Sequence, residues 1–241
     1  MTCPDFTFNL TALADHLFEE RRLLPLADKI RRARDLYSLS ADLAMALESL
    51  DALLKAPTAT SDFEKNITEL ALLNNSLVLY ARATKTNSEL RGGFDLRSRF
   101  SEEEKAAHIE LVDLRDHAIA HFGSGGSYGG EWQAELVILL IKGGVAKPGV
   151  VTRRQIVDWK LVKRARKQIE VAHTLLRNLS LEKLDEVTYE INKAMDENPD
   201  FYKDVKRNPL NLNIFLTSAE AGEAARTSFD QVYAKWSVRH G

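Results

Sequence analysis

Cysteine is almost missing from this chain. Cys3 is the only one in 241 residues, so no internal disulfide can form and no cysteine-based metal cluster can be built. Long apolar runs are missing too. The longest, Leu136 to Ile141, falls far short of the ~20 residues a helix needs to cross a bilayer. Neither sign of charge prevails: the formal net charge is −2, which excludes a wholly basic nucleic-acid binder and confines any such role to a local patch. The opening MTCPDFTFNL has neither the basic segment nor the apolar core of a secretory signal, so the expectation is a cytoplasmic protein with no membrane partner. Glycine gathers in GSGGSYGG, Gly123 to Gly130. No Gly-Lys-Ser/Thr follows it and no strand precedes it, which rules out a phosphate-binding loop. Internal repeats and low-complexity tails are absent.

What is present reads as mainly helical. Apolar residues make up 44% and charged residues 28%, ordinary values for a globular chain long enough for one sizeable core. Residues 10 to 55 carry leucines on shifting helical faces, with Pro25 opening a new helix and Ser38–Ser40 placed to break it again. Lys29, Arg31, Arg32 and Arg34 read as a solvated face. Ser61 or Asp62 caps a helix to about Ala83, with Phe63, Ile67, Leu70, Leu73, Leu77 and Tyr80 as its ridge. Residues 84 to 100 show no periodicity and suggest a long loop. Beyond Gly130, Trp132 to Ile141 and Val150 to Val157 suggest two strands of a hairpin around a turn at Lys142–Val145. Trp159–Leu179, Leu181–Glu197 and Ala219 to about Val238 return to helix, the last capped by Ser218. The expected organisation is a helical core over 1–125, a glycine-rich and hairpin elaboration over 126–158, and C-terminal helices over 159–241.

The best-marked element is SEEEKAAHIELVDLRDHAIAHFG, Ser101 to Gly123. Ser101 and Glu104 form a capping box, Glu102–Glu104 suit the positive end of the helix dipole, and Gly123 suits its stop. Ala107, Leu111, Leu114, Ala118 and Phe122 make an apolar stripe. With Leu111 at zero and about 100° per residue, Arg115 falls near 40° and His121 near 280°. A charge on a buried stripe needs a partner, so Arg115 with His121 is a candidate site or, equally, a structural ion pair.

Arg115, Asp116 and His121 resemble the motif of the HEPN superfamily: an arginine, a polar follower, and a histidine after four to six residues near the end of a long helix. The resemblance covers roughly residues 60–125 and implies an antiparallel pairing of the 61–83 helix with the motif helix. It also implies a metal-independent endoribonuclease with no cofactor, acting as a homodimer in which two motif helices face each other, often beside an antitoxin protein in toxin–antitoxin or phage-defence systems. Histidine can move a proton near neutral pH; arginine's planar fork binds phosphate oxygens in pairs; Asp116 would orient it. Some members are non-catalytic modules. Toxins of this superfamily silenced by nucleotide transfer use a tyrosine two residues past the histidine. Gly123 stands there, and Tyr128 reads as an ordinary loop residue.

Two other features compete. Asp113, His117 and His121 share one helix face at i, i+4, i+8 and could hold a metal, although Ala118 stands where a zinc protease would carry glutamate. Arg153, Arg154, Lys160, Lys163, Arg164, Arg166 and Lys167 form the one concentrated basic stretch. Trp159 lies among them and could stack on a base. Solvated helix and strand-edge cations are the alternative.

Overall fold

The computed structural model describes residues 7–55, 62–85, 91–119, 133–154 and 157–227. The elements in order are α1 (Leu10–Glu19), α2 (Leu24–Lys55), α3 (Asp62–Thr84), α4 (Glu102–Leu114), β1 (Gln133–Lys142), β2 (Val145–Arg154), α5 (Trp159–Glu197), α6 (Phe201–Lys206), α7 (Leu212–Phe215) and α8 (Ala219–Thr227). The protein is thus mainly helical with one two-stranded antiparallel sheet. No helix among the described residues is long and apolar enough to cross a membrane.

Several boundaries differ from the sequence expectation. Helix α2 runs unbroken through Ser38–Ser40, because Leu36, Leu39 and Leu43 around them are fully buried and packing overrides the weak propensity of serine. The same holds for α5, one helix through Ser180 rather than two, with Leu176 and Val187 buried on either side. Ile67, expected in the α3 ridge, is exposed, whereas Leu73, Leu77 and Tyr80 are sealed. The second strand begins at Val145, not Val150, because a two-residue Gly143–Gly144 turn brings it straight back. Both glycines have positive φ, +60° and +78°, the conformation that a tight hairpin turn requires. Trp132 and Gln155–Ile156 lie outside the described residues, as do the helix ends expected at Phe122 and Val238.

The contacts divide the chain into two units. One comprises residues 1–36 and 178–241. Its core joins Leu13, Leu17, Leu26 and Ile30 to Val187, Ala194, Phe201 and Val205. The cations read as a solvated face are paired here. Lys29 donates to Glu190 at 2.7 Å, and Arg31 pairs with Asp15 at 2.9 Å while covering the Phe18 ring. The segment just before α1 is tied in by Asn9 N–H donating to Asn208 C=O (2.8 Å) and Leu210 N–H to Thr7 C=O (2.8 Å).

The other unit, residues 37–177, buries Leu39, Leu43, Leu50, Leu73, Leu77, Leu111, Leu114, Leu161 and Ile169. Polar contacts give the helix directions. Asn75 meets Ser49 and Arg82 meets Asp42, so α2 and α3 are antiparallel. Arg164 meets Glu110 and Lys167 meets Glu103, so α4 and α5 are antiparallel as well. Tyr80 meets His108 and Lys85 meets Asp116, so α3 and α4 run in the same sense where they touch. This corrects the antiparallel α3–α4 pair that the resemblance implies. The residues from Lys85 to Ser101 are enough, at up to ~3.3 Å each, to carry the chain back along α3 before α4 starts. Along that return, Arg91 is anchored on Asp42 at 2.7 Å, and Leu96 and Phe100 are buried.

Candidate functional site: the end of the motif helix

Helix α4 starts as its sequence dictates. Ser101 Oγ accepts from Glu104 N–H at 3.3 Å, and the Glu104 carboxylate accepts from Ser101 N–H at 2.8 Å. Both cap donors are thereby satisfied. Leu111 and Leu114 then fix the helix by full burial within the chain. These two members of the apolar stripe are therefore consumed within the chain's own core, while the Ala118 side chain and Phe122 lie outside the described set.

At Arg115 the helix widens into a π-helical turn, Arg115–Ile119. Its i→i+5 bonding adds a residue to the turn, and such insertions cluster at functional positions. The 100° wheel therefore stops applying beyond Arg115. Arg115 itself still bonds back to Leu111 C=O as an α-helical residue, and its side chain is 34% exposed rather than buried. Arg115 Nη1 donates to Asp116 Oδ1 at 2.9 Å, while its buried Nε finds no acceptor among the described residues. Asp116 Oδ2 accepts from Lys85 Nζ at the end of α3. Burial pushes the Asp116 carboxyl up, but hydrogen bonds from Lys85 and Arg115 outweigh it and hold the pKa below the usual carboxylate value. Two cations share one carboxylate, so this group carries a net positive charge. Lys85 was not singled out from the sequence; the available signal was a lysine closing a helix, where a cation suits the dipole.

His121 lies outside the described residues, as do Gly123 and Tyr128. His117 is exposed, with Nδ1 2.9 Å from Asp113 Oδ1, so the two described members of the candidate metal trio are joined to each other. Among the described residues no three His, Cys, Asp or Glu side chains gather as metal ligands.

The basic stretch is split by its partners. Arg164 forms a two-pronged pair with Glu110 (2.6 and 3.2 Å), Lys167 reaches Glu103 (2.9 Å), and Arg166 reaches Asp51 (3.1 Å) and Glu170 (3.2 Å). The Arg164–Glu110 and Lys167–Glu103 pairs rim a cleft of about 280 Å³ between α4 and α5, with Ala107 and Gln168 in its lining. Trp159, Lys160 and Lys163 are exposed at the start of α5. Arg153 and Arg154 close β2 opposite Ala134 and Gln133; their side chains lie outside the described set.

Beneath the motif helix sits a polar relay. Gln168 Nε2 donates to Tyr80 Oη (3.3 Å), which lies 2.9 Å from His108 Nδ1. Burial raises the Tyr80 phenol, keeping its proton available to the imidazole. A second cluster, also missed in the sequence, is Asp42. It is nearly sealed and accepts from both Arg82 and Arg91.

Fold and site together define a helical protein with a cationic, carboxylate-anchored group at the end of one helix. Comparison of the chain with protein-family models, curated proteins and solved structures finds no match.

Proposed function

We propose that the chain is a metal-independent endoribonuclease of HEPN type, with Arg115, Asp116 and His121 as its working residues. The observation that carries this reading is the Lys85–Asp116–Arg115 group. Asp116, gripped from α3, holds a half-exposed guanidinium in place with positive charge left over, which suits a phosphodiester. In the reaction, the RNA 2′-oxygen attacks the adjacent phosphorus and loses its proton. The P–O5′ bond breaks, and the 5′-oxygen takes a proton. His121 would take or deliver one of these protons, and Arg115 would bind the crowded equatorial oxygens.

A non-catalytic RNA-binding or protein-interaction module is the second reading. It is favoured by the pairing of Arg164 and Lys167 with glutamates and by α5, rather than α3, being antiparallel to α4. A fluorescent single-stranded RNA distinguishes the two. The expected result is cleavage unaffected by chelator, leaving a 2′,3′-cyclic phosphate and a 5′-hydroxyl. Arg115→Ala or His121→Ala should slow it by a few hundredfold, about 3–4 kcal/mol, without loss of fold. RNA bound but never cut supports the second reading. Cleavage that needs a divalent ion, and fails equally in His117→Ala, would point instead to Asp113, His117 and His121.

A further inference from the structure

The β-hairpin is apolar on both faces. Cross-strand pairing of Leu136 with Val151, Val137 with Val150 and Lys142 with Val145 fixes which residues share a side. One face carries Leu136, Leu140, Val145 and Val151; the other carries Val137, Leu139, Ile141 and Val150. All eight are exposed, from 49% for Val151 to 81% for Val137. A ribbon that packed on its own unit would hide one face and make the other polar. A lone two-stranded hairpin is also marginal in water, whereas sheets of three or more strands with an apolar face hold together.

We infer that the outer edge of β1 pairs antiparallel with β1 of a second copy, joining two hairpins into one four-stranded sheet. The backbone distinguishes the two edges. A two-residue turn makes Lys142–Val145 a hydrogen-bonded pair, so alternation makes Leu139–Pro148 a non-hydrogen-bonded one. The donor that Pro148 lacks is therefore on the outward side of β2, which blocks that edge. The outward N–H and C=O groups of Val137, Leu139 and Ile141 on β1 carry no such interruption, and no other described backbone group meets them.

The pattern is self-complementary. A two-fold axis at Ile138 sets Leu136 opposite Leu140 of the partner subunit and Val137 opposite Leu139 of the partner subunit, each on a shared face. Lipid could cover the side chains but could not satisfy the open backbone groups, which is why a second copy fits better than a membrane. Joined this way, Leu136, Val137, Leu139 and Leu140 of β1 pack beside large aliphatic side chains across the seam, and two marginal ribbons become one four-stranded sheet. This dimer does not depend on the nuclease reading.

Sedimentation at about 10–100 µM should show a dimer. Val137→Pro removes one outward donor while leaving the β1–β2 ladder intact, as Pro148 already does on β2, and should give monomer with an unchanged circular dichroism spectrum. In a Cys3→Ser background, Ile138→Cys should cross-link readily on oxidation. Opposed residues of a non-hydrogen-bonded pair stand with Cβ atoms about 4.5 Å apart, near disulfide range. Val150→Cys, on the far strand, should cross-link at least tenfold more slowly. A wild-type monomer throughout that range, a dimer that persists in Val137→Pro, or equal cross-linking at the two cysteines would each overturn the inference. So would a monomer that floats with phosphatidylcholine–phosphatidylglycerol vesicles only when its hairpin is wild-type, since lipid would then be the occupant.

Discussion

Burial first, and then the nearby Arg97 guanidinium, hold the His108 imidazole below its ordinary pKa. The neutral ring is the form that can accept from Tyr80. Because the unfolded chain binds this proton more readily, stability is fully present above the unfolded value of about 6.5 and falls as pH drops below it. Asp116, also depressed, contributes stability above the unfolded carboxylate value of about 3.9, lost as pH falls through its lower folded value. The two groups therefore act in separate windows. Thermal melts from pH 8 to 3 should show a first decline that begins near 6.5 and is shallower in His108→Gln. The Tm gap between wild type and Asp116→Asn should close only below about pH 4. A gap that is constant with pH would mean that Asp116 is not held ionised by Lys85 and Arg115. Asp42 is a costly position. Asp42→Asn leaves the largely covered Arg91 without its counter-charge and should destabilise by about 3 kcal/mol in urea titration, the low end for a broken buried pair because Arg82 is half exposed.

Helices α4 and α5 show how far a positive run in sequence differs from a positive surface. Glu103 and Glu110 of α4 face the cations of α5, and Arg164 and Lys167 are occupied there. If this patch takes part in RNA binding, Glu103→Gln with Glu110→Gln should free two cations, tighten binding and steepen its salt dependence by up to about two in log–log slope. An unchanged slope would remove the patch from the interaction. What was legible at this scale was local. Ser101 and Glu104 sit three apart, and the structure uses both as a cap. Gly143–Gly144 turned where the sequence placed the turn. The continuity of α2 and α5 was hidden because the leucines that override Ser38, Ser40 and Ser180 find their partners on other helices. The π turn at Arg115 was hidden for a different reason: nothing in RDHAI departs from ordinary helical composition. Asp116 was marked as a polar follower of Arg115, but its bond to Lys85 spans 31 positions and no periodicity carries information over that distance.

Across the whole molecule, helical content and the single hairpin followed from pattern, while the division of the chain did not. Sequence suggested three consecutive stretches, but contacts group residues 1–36 with 178–241 around an uninterrupted 37–177. This arrangement has a consequence during synthesis. At about 5–20 residues per second, the ribosome takes roughly 7–30 s to add the middle stretch after Leu36 appears. Throughout that interval Leu13, Leu17 and Ile30 are waiting for Val187, Phe201 and Val205, which do not yet exist. The central stretch can close its own contacts as soon as it emerges, but α1 cannot. Nascent chains whose residues up to 177 have emerged should therefore resist protease within α3 and α4 while being cut within 7–36, and chains released past Arg207 should resist at both places. Protection of α1 in the shorter arrest would show that it finds shelter without the chain's other end.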